Sequence, residues 1–137
     1  MQDELVTYET AKLAKQKGFD ESTIYPYLSN GKLDLDRNDL MDGSVLFIDW
    51  NNKNMADIRG EVIAASTQSL LQKWLREIHN IHVYVHNSIV SNFPKQCTYS
   101  ILGNGINISY DKVNNDYEKI LELGLKEALN LLPDVEL

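Results

Sequence analysis

The stretch CTYSILGNGINISY, Cys97 to Tyr110, decides the fold class. A type I′ turn needs positive φ at both central residues, which asparagine and glycine tolerate. Asn104-Gly105 therefore predicts an antiparallel hairpin of about Cys97–Leu102 with Ile106–Tyr110. Side chains on a strand alternate between its two faces. Cys97, Tyr99 and Ile101 line one side while Thr98 and Ser100 line the other; Ile106, Ile108 and Tyr110 oppose Asn107 and Ser109. The stretch before it, NIHVYVHNS from Asn80 to Ser88, obeys the same rule, with a strand at about Ile81–Asn87. Ile81, Val83 and Val85 share one face, and His82, Tyr84 and His86 the other. Three strands that each offer one apolar and one polar, mostly uncharged face describe an antiparallel sheet covered on one side.

Helices stand on either side of these strands. STQSLLQKWLREIHN places Leu70, Leu71, Trp74, Leu75 and Ile78 on one helical side, with Ser66 or Thr67 as cap and a left-handed Asn80 as terminator. NNDYEKILELGLKEALNLLP predicts a closing helix in which Asn115 caps, Glu118 supplies the acid three residues later and Pro133 stops the run. Gly124 inside that helix costs about 1 kcal/mol relative to alanine, which points to a close neighbour. The apolar sheet face is expected to receive both helices.

The N-terminal half is less regular. TYETAKLAKQKGF predicts a short helix capped by Thr7, ended by a left-handed Gly18, with Phe19 folded back on Ala14. Lys12, Lys15 and Lys17 complement the helix dipole. YPYLSNGKLDLDRNDLMDG is punctuated by Pro26, Asn30-Gly31 and Gly43. SVLFIDW then predicts a strand from Val45 to Trp50, which NNKN turns back into a second strand near Ile58 to Ile63. The expected fold is α+β: a single domain over residues 1–137, with an antiparallel sheet of three to five strands and helices packed mainly on one face. An N-terminal helix precedes it, and the C-terminal half runs α-β-β-β-α.

Composition narrows the function. The chain has 137 residues, 43% hydrophobic and 24% charged, the make-up of a globular protein. The start MQDELVTYETAK has no signal-peptide pattern, no apolar run approaches a membrane span, and the single Cys97 cannot form an internal disulfide. A cytoplasmic protein with no membrane association is expected. Net charge is −7, with five of the net negative charges in residues 1–65. That balance opposes nucleic-acid binding, which needs cations to neutralise phosphates.

Candidate chemistry is sparse. His82 and His86 sit four residues apart on a strand, so their Cα atoms lie about 13 Å apart with parallel side chains. Zinc needs both nitrogens at about 2.0–2.1 Å, so no metal site is expected from this pair. Cys97 belongs to the apolar set and reads as a small core residue rather than a thiolate paired with histidine. DLDRNDLMDGSV, from Asp34, has acids at the first and third positions of a calcium loop, but Asp39 replaces its glycine and Val45 its bidentate glutamate, so Asp34, Asp36, Asp39 and Asp42 read as a solvated acidic loop rather than a weak cation site. No G-x-S-x-G, H-E-x-x-H or phosphate-cradling glycine loop is present, and no cofactor is expected. What survives is the strip His82, Tyr84 and His86 as a candidate binding surface.

Two resemblances follow. Thr67, Gln68 and Ser69 open a helix carrying Trp74, Leu75, Arg76 and Glu77, and a closing helix ends in Glu127, Ala128 and Leu129. This pattern, over about half the chain, resembles a group of small uncharacterised bacteriophage and prophage proteins. In that group proline often precedes the threonine, where this chain has Ser66. The resemblance implies a viral or prophage origin and an accessory role, and brings no activity with it. The order helix, three strands, helix is also similar to the double-stranded RNA-binding domain, which meets phosphates with a basic cluster at its last helix. Here that region, DKVNNDYEK, sets Asp111, Asp116 and Glu118 against Lys112 and Lys119.

The leading expectation is a non-enzymatic phage-type accessory protein that binds a host or phage protein. One alternative is a small enzyme using the His/Tyr strip for acid–base chemistry on a nucleotide or phosphodiester. Another is a nucleic-acid binder with the RNA-binding layout. Trp50, Tyr25 and Tyr27 offer an aromatic contact patch of the kind a homodimer uses.

Overall fold

The computed structural model describes residues 4–35, 47–52, 61–87, 96–110 and 114–135. The elements are α1 (Tyr8–Gln16), β1 (Pro26–Leu28), β2 (Val62–Ala64), α2 (Gln68–His79), β3 (His82–Asn87), β4 (Cys97–Gly103), β5 (Ile106–Ser109) and α3 (Tyr117–Asn130). This is the expected α+β class, with the described strands in two antiparallel sheets, β1-β2 and β3-β4-β5. The chain falls into two compact units, Leu5–Thr67 with Pro133–Leu137, and Met1–Glu4 with Gln68–Leu132.

In the first unit, Thr7 caps α1 by accepting from the Thr10 amide. The helix ends at Gly18, φ 93°. There the Phe19 N–H donates to Ala14 O at 3.0 Å and the Gly18 N–H to Lys15 O at 3.1 Å, the two bonds of a Schellman motif. Phe19 is buried as expected. The lysines do more than complement a dipole. Lys15 Nζ donates to Val62 O at 3.0 Å and to Glu61 at 3.2 Å, and Lys17 Nζ meets Asp134 Oδ1 at 2.7 Å.

The expected hairpin of 45–50 with 58–63 is not what pairs β2. Its register partner is β1: Pro26 faces Ala64, Tyr27 faces Ile63 and Leu28 faces Val62. Pro26 is thus a strand residue, while Asn30-Gly31 is the turn, with Gly31 at φ 84° and its N–H bonded to Leu28 O at 2.9 Å. Residues 45, 46 and 53–60 lie outside the described residues, as do Asp36, Asp39 and Asp42 of the calcium-loop reading. Ile48 makes an isolated bridge with Thr23.

Two rings of the expected aromatic contact patch, Trp50 and Tyr27, are engaged inside this unit, and Tyr25 is half-buried. Trp50 is buried and its Nε1 donates to Thr23 O at 3.2 Å. Tyr27 donates to Val6 O at 2.7 Å and sets its ring edge-on to Tyr8. Tyr25 O accepts from the Ala65 amide at 3.0 Å.

In the second unit, β4 is the centre of a three-stranded sheet: Tyr84 faces Ser100, which faces Ser109, and His82 faces Leu102, which faces Asn107. The turn carries Asn104 at φ 50° and Gly105 at φ 78°, as a type I′ turn requires. α3 packs on β3 and β4, and α2 packs on β3 and α3. The buried face of α3 is Ile120, Leu121, Gly124, Leu125, Ala128 and Leu129. Its cap is Asp116 rather than Asn115, one residue later than expected, with the side chain accepting from the Lys119 amide. The chain is pinned just before, where Asn114 pairs with Cys97 and its Oδ1 takes the Asp116 N–H at 2.9 Å. That fixes which residue stands at the helix mouth.

Ile78, expected in the core, is 62% exposed. The chain reverses at Asn80, φ 53°, and the Ile81 N–H reaches back to Leu75 O at 3.0 Å. Ile81 is buried in its place.

Candidate functional site

The candidate strip lies where alternation put it. Ile81 and Val83 are buried on the helix-covered side of the sheet, while His86 and Tyr84 are exposed and His82 is half-buried on the other. The His82 and Tyr84 rings stack at 6.0 Å with planes 14° apart. His82 Nε2 is 3.3 Å from Asn80 Oδ1, and His86 Nε2 is 2.8 Å from Ser100 Oγ. Ser100 was not singled out as a partner, although it sits directly across from Tyr84. Cross-strand register, which one strand's pattern does not contain, brings it to His86.

Three strands share the open face. β3 supplies His82, Tyr84 and His86, β4 supplies Thr98, Ser100 and Leu102, and β5 supplies Asn107 and Ser109. Leu102 is 39% exposed, an apolar addition that the sequence reading left out. Thr98 is buried and donates to Tyr110 O at 3.0 Å. Among the described residues this face carries no Lys, Arg, Asp or Glu. It is broad, polar and uncharged.

Its edges differ. The Tyr110 N–H donates to Tyr99 O at 3.0 Å, so Tyr99, Ile101 and Gly103 bond toward β5 and the alternate residues toward β3. The main-chain groups of Val83 consequently point away from the sheet, and there Gln72 Nε2 of α2 caps the Val83 carbonyl at 2.6 Å. A helix side chain thus blunts the β3 edge.

Cys97 stands on the opposite, helix-covered side, beside Tyr99 and Ile120. Its Sγ donates to Asn114 O at 3.2 Å. Burial, then the nearby Asp116 and Glu118 charges, push its thiol above the ordinary value, which favours the unreactive protonated form. The sheet separates it from His82 and His86. His79 packs its ring edge-on against Trp74 at 4.6 Å.

Gln68, which the sequence offers only as part of the Thr67–Ser69 helix-opening pattern, links two helices. It is buried, and its Nε2 donates to Glu118 O at 2.8 Å and to Glu122 Oε1 at 3.2 Å, tying the start of α2 to α3. No family model, curated protein or solved structure matches the chain. No helix among the described residues is long and apolar enough to cross a membrane.

Proposed function

We propose that the chain is a cytoplasmic accessory protein of phage or prophage type that acts without catalysis, by binding a protein through the open face of β3-β4-β5. The observation that carries this is the lack of charge on that face, among the described residues, in a chain with 13 basic and 20 acidic side chains. A merely solvated strand face has every reason to carry lysine and glutamate. The centre of a protein interface is depleted of them and enriched in aromatics, here Tyr84. The phage-type assignment is supported by the Thr67–Glu77 and Glu127–Leu129 pattern alone. The RNA-binding alternative needs a basic cluster at the start of α3, where the described residues set Asp116 and Glu118 beside Lys119, and that argues against it.

Affinity capture from host lysate tests the reading, using the native chain beside a His82→Ala/Tyr84→Ala/His86→Ala variant whose fold is checked by circular dichroism. A protein held by the native chain and lost by the variant supports it. Capture undiminished by the variant overturns the site.

The His86–Ser100 pair at 2.8 Å favours a second reading, an acid–base enzyme. Both partners lie on an open sheet with His86 exposed, where water competes for any reacting group. Hydrolysis of bis(p-nitrophenyl) phosphate decides: turnover by the native chain that is lost on His86→Ala would support the enzyme, and no turnover would count against it.

A further inference from the structure

We infer that the partner of this face is a second copy of the same chain, docked face to face about a two-fold axis running along β4. The inference rests on reading the face as a binding surface and names its occupant.

Two observations converge on self-association. In a two-fold contact the same patch meets itself, so a charged side chain near the axis meets its own like charge. A chain of net charge −7 avoids that penalty most simply through a neutral surface, and among the described residues this face carries no charged side chain. Hydrogen-bonding chemistry points the same way. Serine hydroxyls, asparagine amides and the tyrosine phenol each donate and accept, so each can bond to a copy of itself. A lysine or a carboxylate cannot. Among the described residues the exposed part of the face is built of the first kind together with His82, His86 and Leu102, while Thr98 is buried and donates to Tyr110 O.

Shape selects the axis. One margin of the face is tall, with His82, Tyr84 and His86 on β3, and the other is low, with Asn107 and Ser109 on β5. Rotation about an axis along β4 lays the tall margin of each copy over the low margin of the other, so that large side chains meet small ones. Because Tyr84, Ser100 and Ser109 share one level across the sheet, Tyr84 then stands over the second copy's Ser109, and His82 over its Asn107. An axis across the strands would instead stack Tyr84 on Tyr84 and leave the low margins apart.

The footprint sets the affinity. Three strands about 4.8 Å apart and five residues at about 3.3 Å each give a patch of roughly 15 by 17 Å. That is well under the ~800 Å² per partner of a stable interface, so the dimer is a weak, concentration-dependent one.

Analytical ultracentrifugation of the full chain between about 5 and 500 µM at physiological salt tests this. The expected result is a rise from monomer toward dimer. Tyr84→Asp and Ser109→Lys should each weaken association about tenfold or more. Tyr84→Asp combined with Ser109→Lys should restore it to within a few-fold, because each aspartate then faces a lysine. Loss in both single variants without rescue in the double overturns the arrangement, as does a dimer that neither variant disturbs. A native chain monomeric throughout overturns the inference. If Tyr84→Asp still abolishes capture of a lysate protein, the binding face itself stands; if it does not, both fall together.

Discussion

Gly103 lies directly against the main chain of Asn80. A Cβ built on Gly103, whose φ is 129°, would run into the Asn80 carbonyl oxygen and stand 3.0 Å from its carbonyl carbon. Asn80 ends α2 and Gly103 ends β4, so this contact joins the turn into β3 to the β4-β5 hairpin. The opposing group is backbone and cannot rotate away.

Gly103→Ala is therefore expected to cost about 3 kcal/mol or more, from left-handed strain and displaced backbone together. Gly105→Ala is the control: its φ is 78° but its Cβ would meet nothing within 4 Å. It should cost only about 1–2 kcal/mol. Urea denaturation of the two variants reads the difference.

At Gly124 two effects oppose each other. Alanine is the better helix former by about 1 kcal/mol. Its Cβ, however, would sit 2.9 Å from Val83 Cγ1 and 3.1 Å from the Tyr99 ring. Overpacking of this kind costs about 1–3 kcal/mol, so Gly124→Ala should come out net destabilising in the same denaturation assay.

Gln68 donates to a carbonyl and a carboxylate, so a change of its chemistry matters more than a change of its size. Gln68→Glu faces both acceptors with another acceptor and should cost about 2–3 kcal/mol at pH 7. The loss should shrink on acidification, as the new carboxyl regains a proton to donate. Thermal melts at pH 7 and pH 4 check both parts.

Asp49 holds its carboxyl above the ordinary value, first through burial and then through the negative charge of Asp20, against the pull of the Asn51 and Asn52 amides. Its Oδ1 is shut from solvent and has no hydrogen-bond partner among the described residues. The folded state thus holds the proton more tightly than the unfolded one. Asp49 contributes most favourably below the unfolded pKa, and that contribution is lost as pH rises through the folded one. Asp49→Asn should raise the melting temperature at pH 7 and leave it unchanged near pH 3.

Cys97 should resist modification in the native protein at pH 8, because it is buried and held protonated. Ellman's reagent is expected to react with it only as urea unfolds the chain. Fast native labelling would return the thiolate chemistry to consideration.

Local signals carried much of this fold. Asn104-Gly105 specifies its turn through two backbone angles, Gly18 and Asn80 end their helices by the same means, and alternation sorts residues 81–110 onto two faces before any partner is known. Those properties belong to a few neighbouring residues, so they can be read without tertiary structure. The candidate strip His82, Tyr84 and His86 was legible for the same reason.

Other features belong to residues far apart in the chain. Pairing of Pro26–Leu28 with Val62–Ala64 spans more than thirty residues, and no periodicity in either segment names the other. Burial of Gln68 depends on acceptors fifty residues away. Only the cross-strand register sets Ser100 beside His86 and gathers eight uncharged side chains into one surface. Sequence determined which residues turn, alternate and cap, because backbone sterics act locally. Tertiary structure decided which of them meet, because meeting is settled by packing and hydrogen bonds between segments that the chain itself keeps far apart.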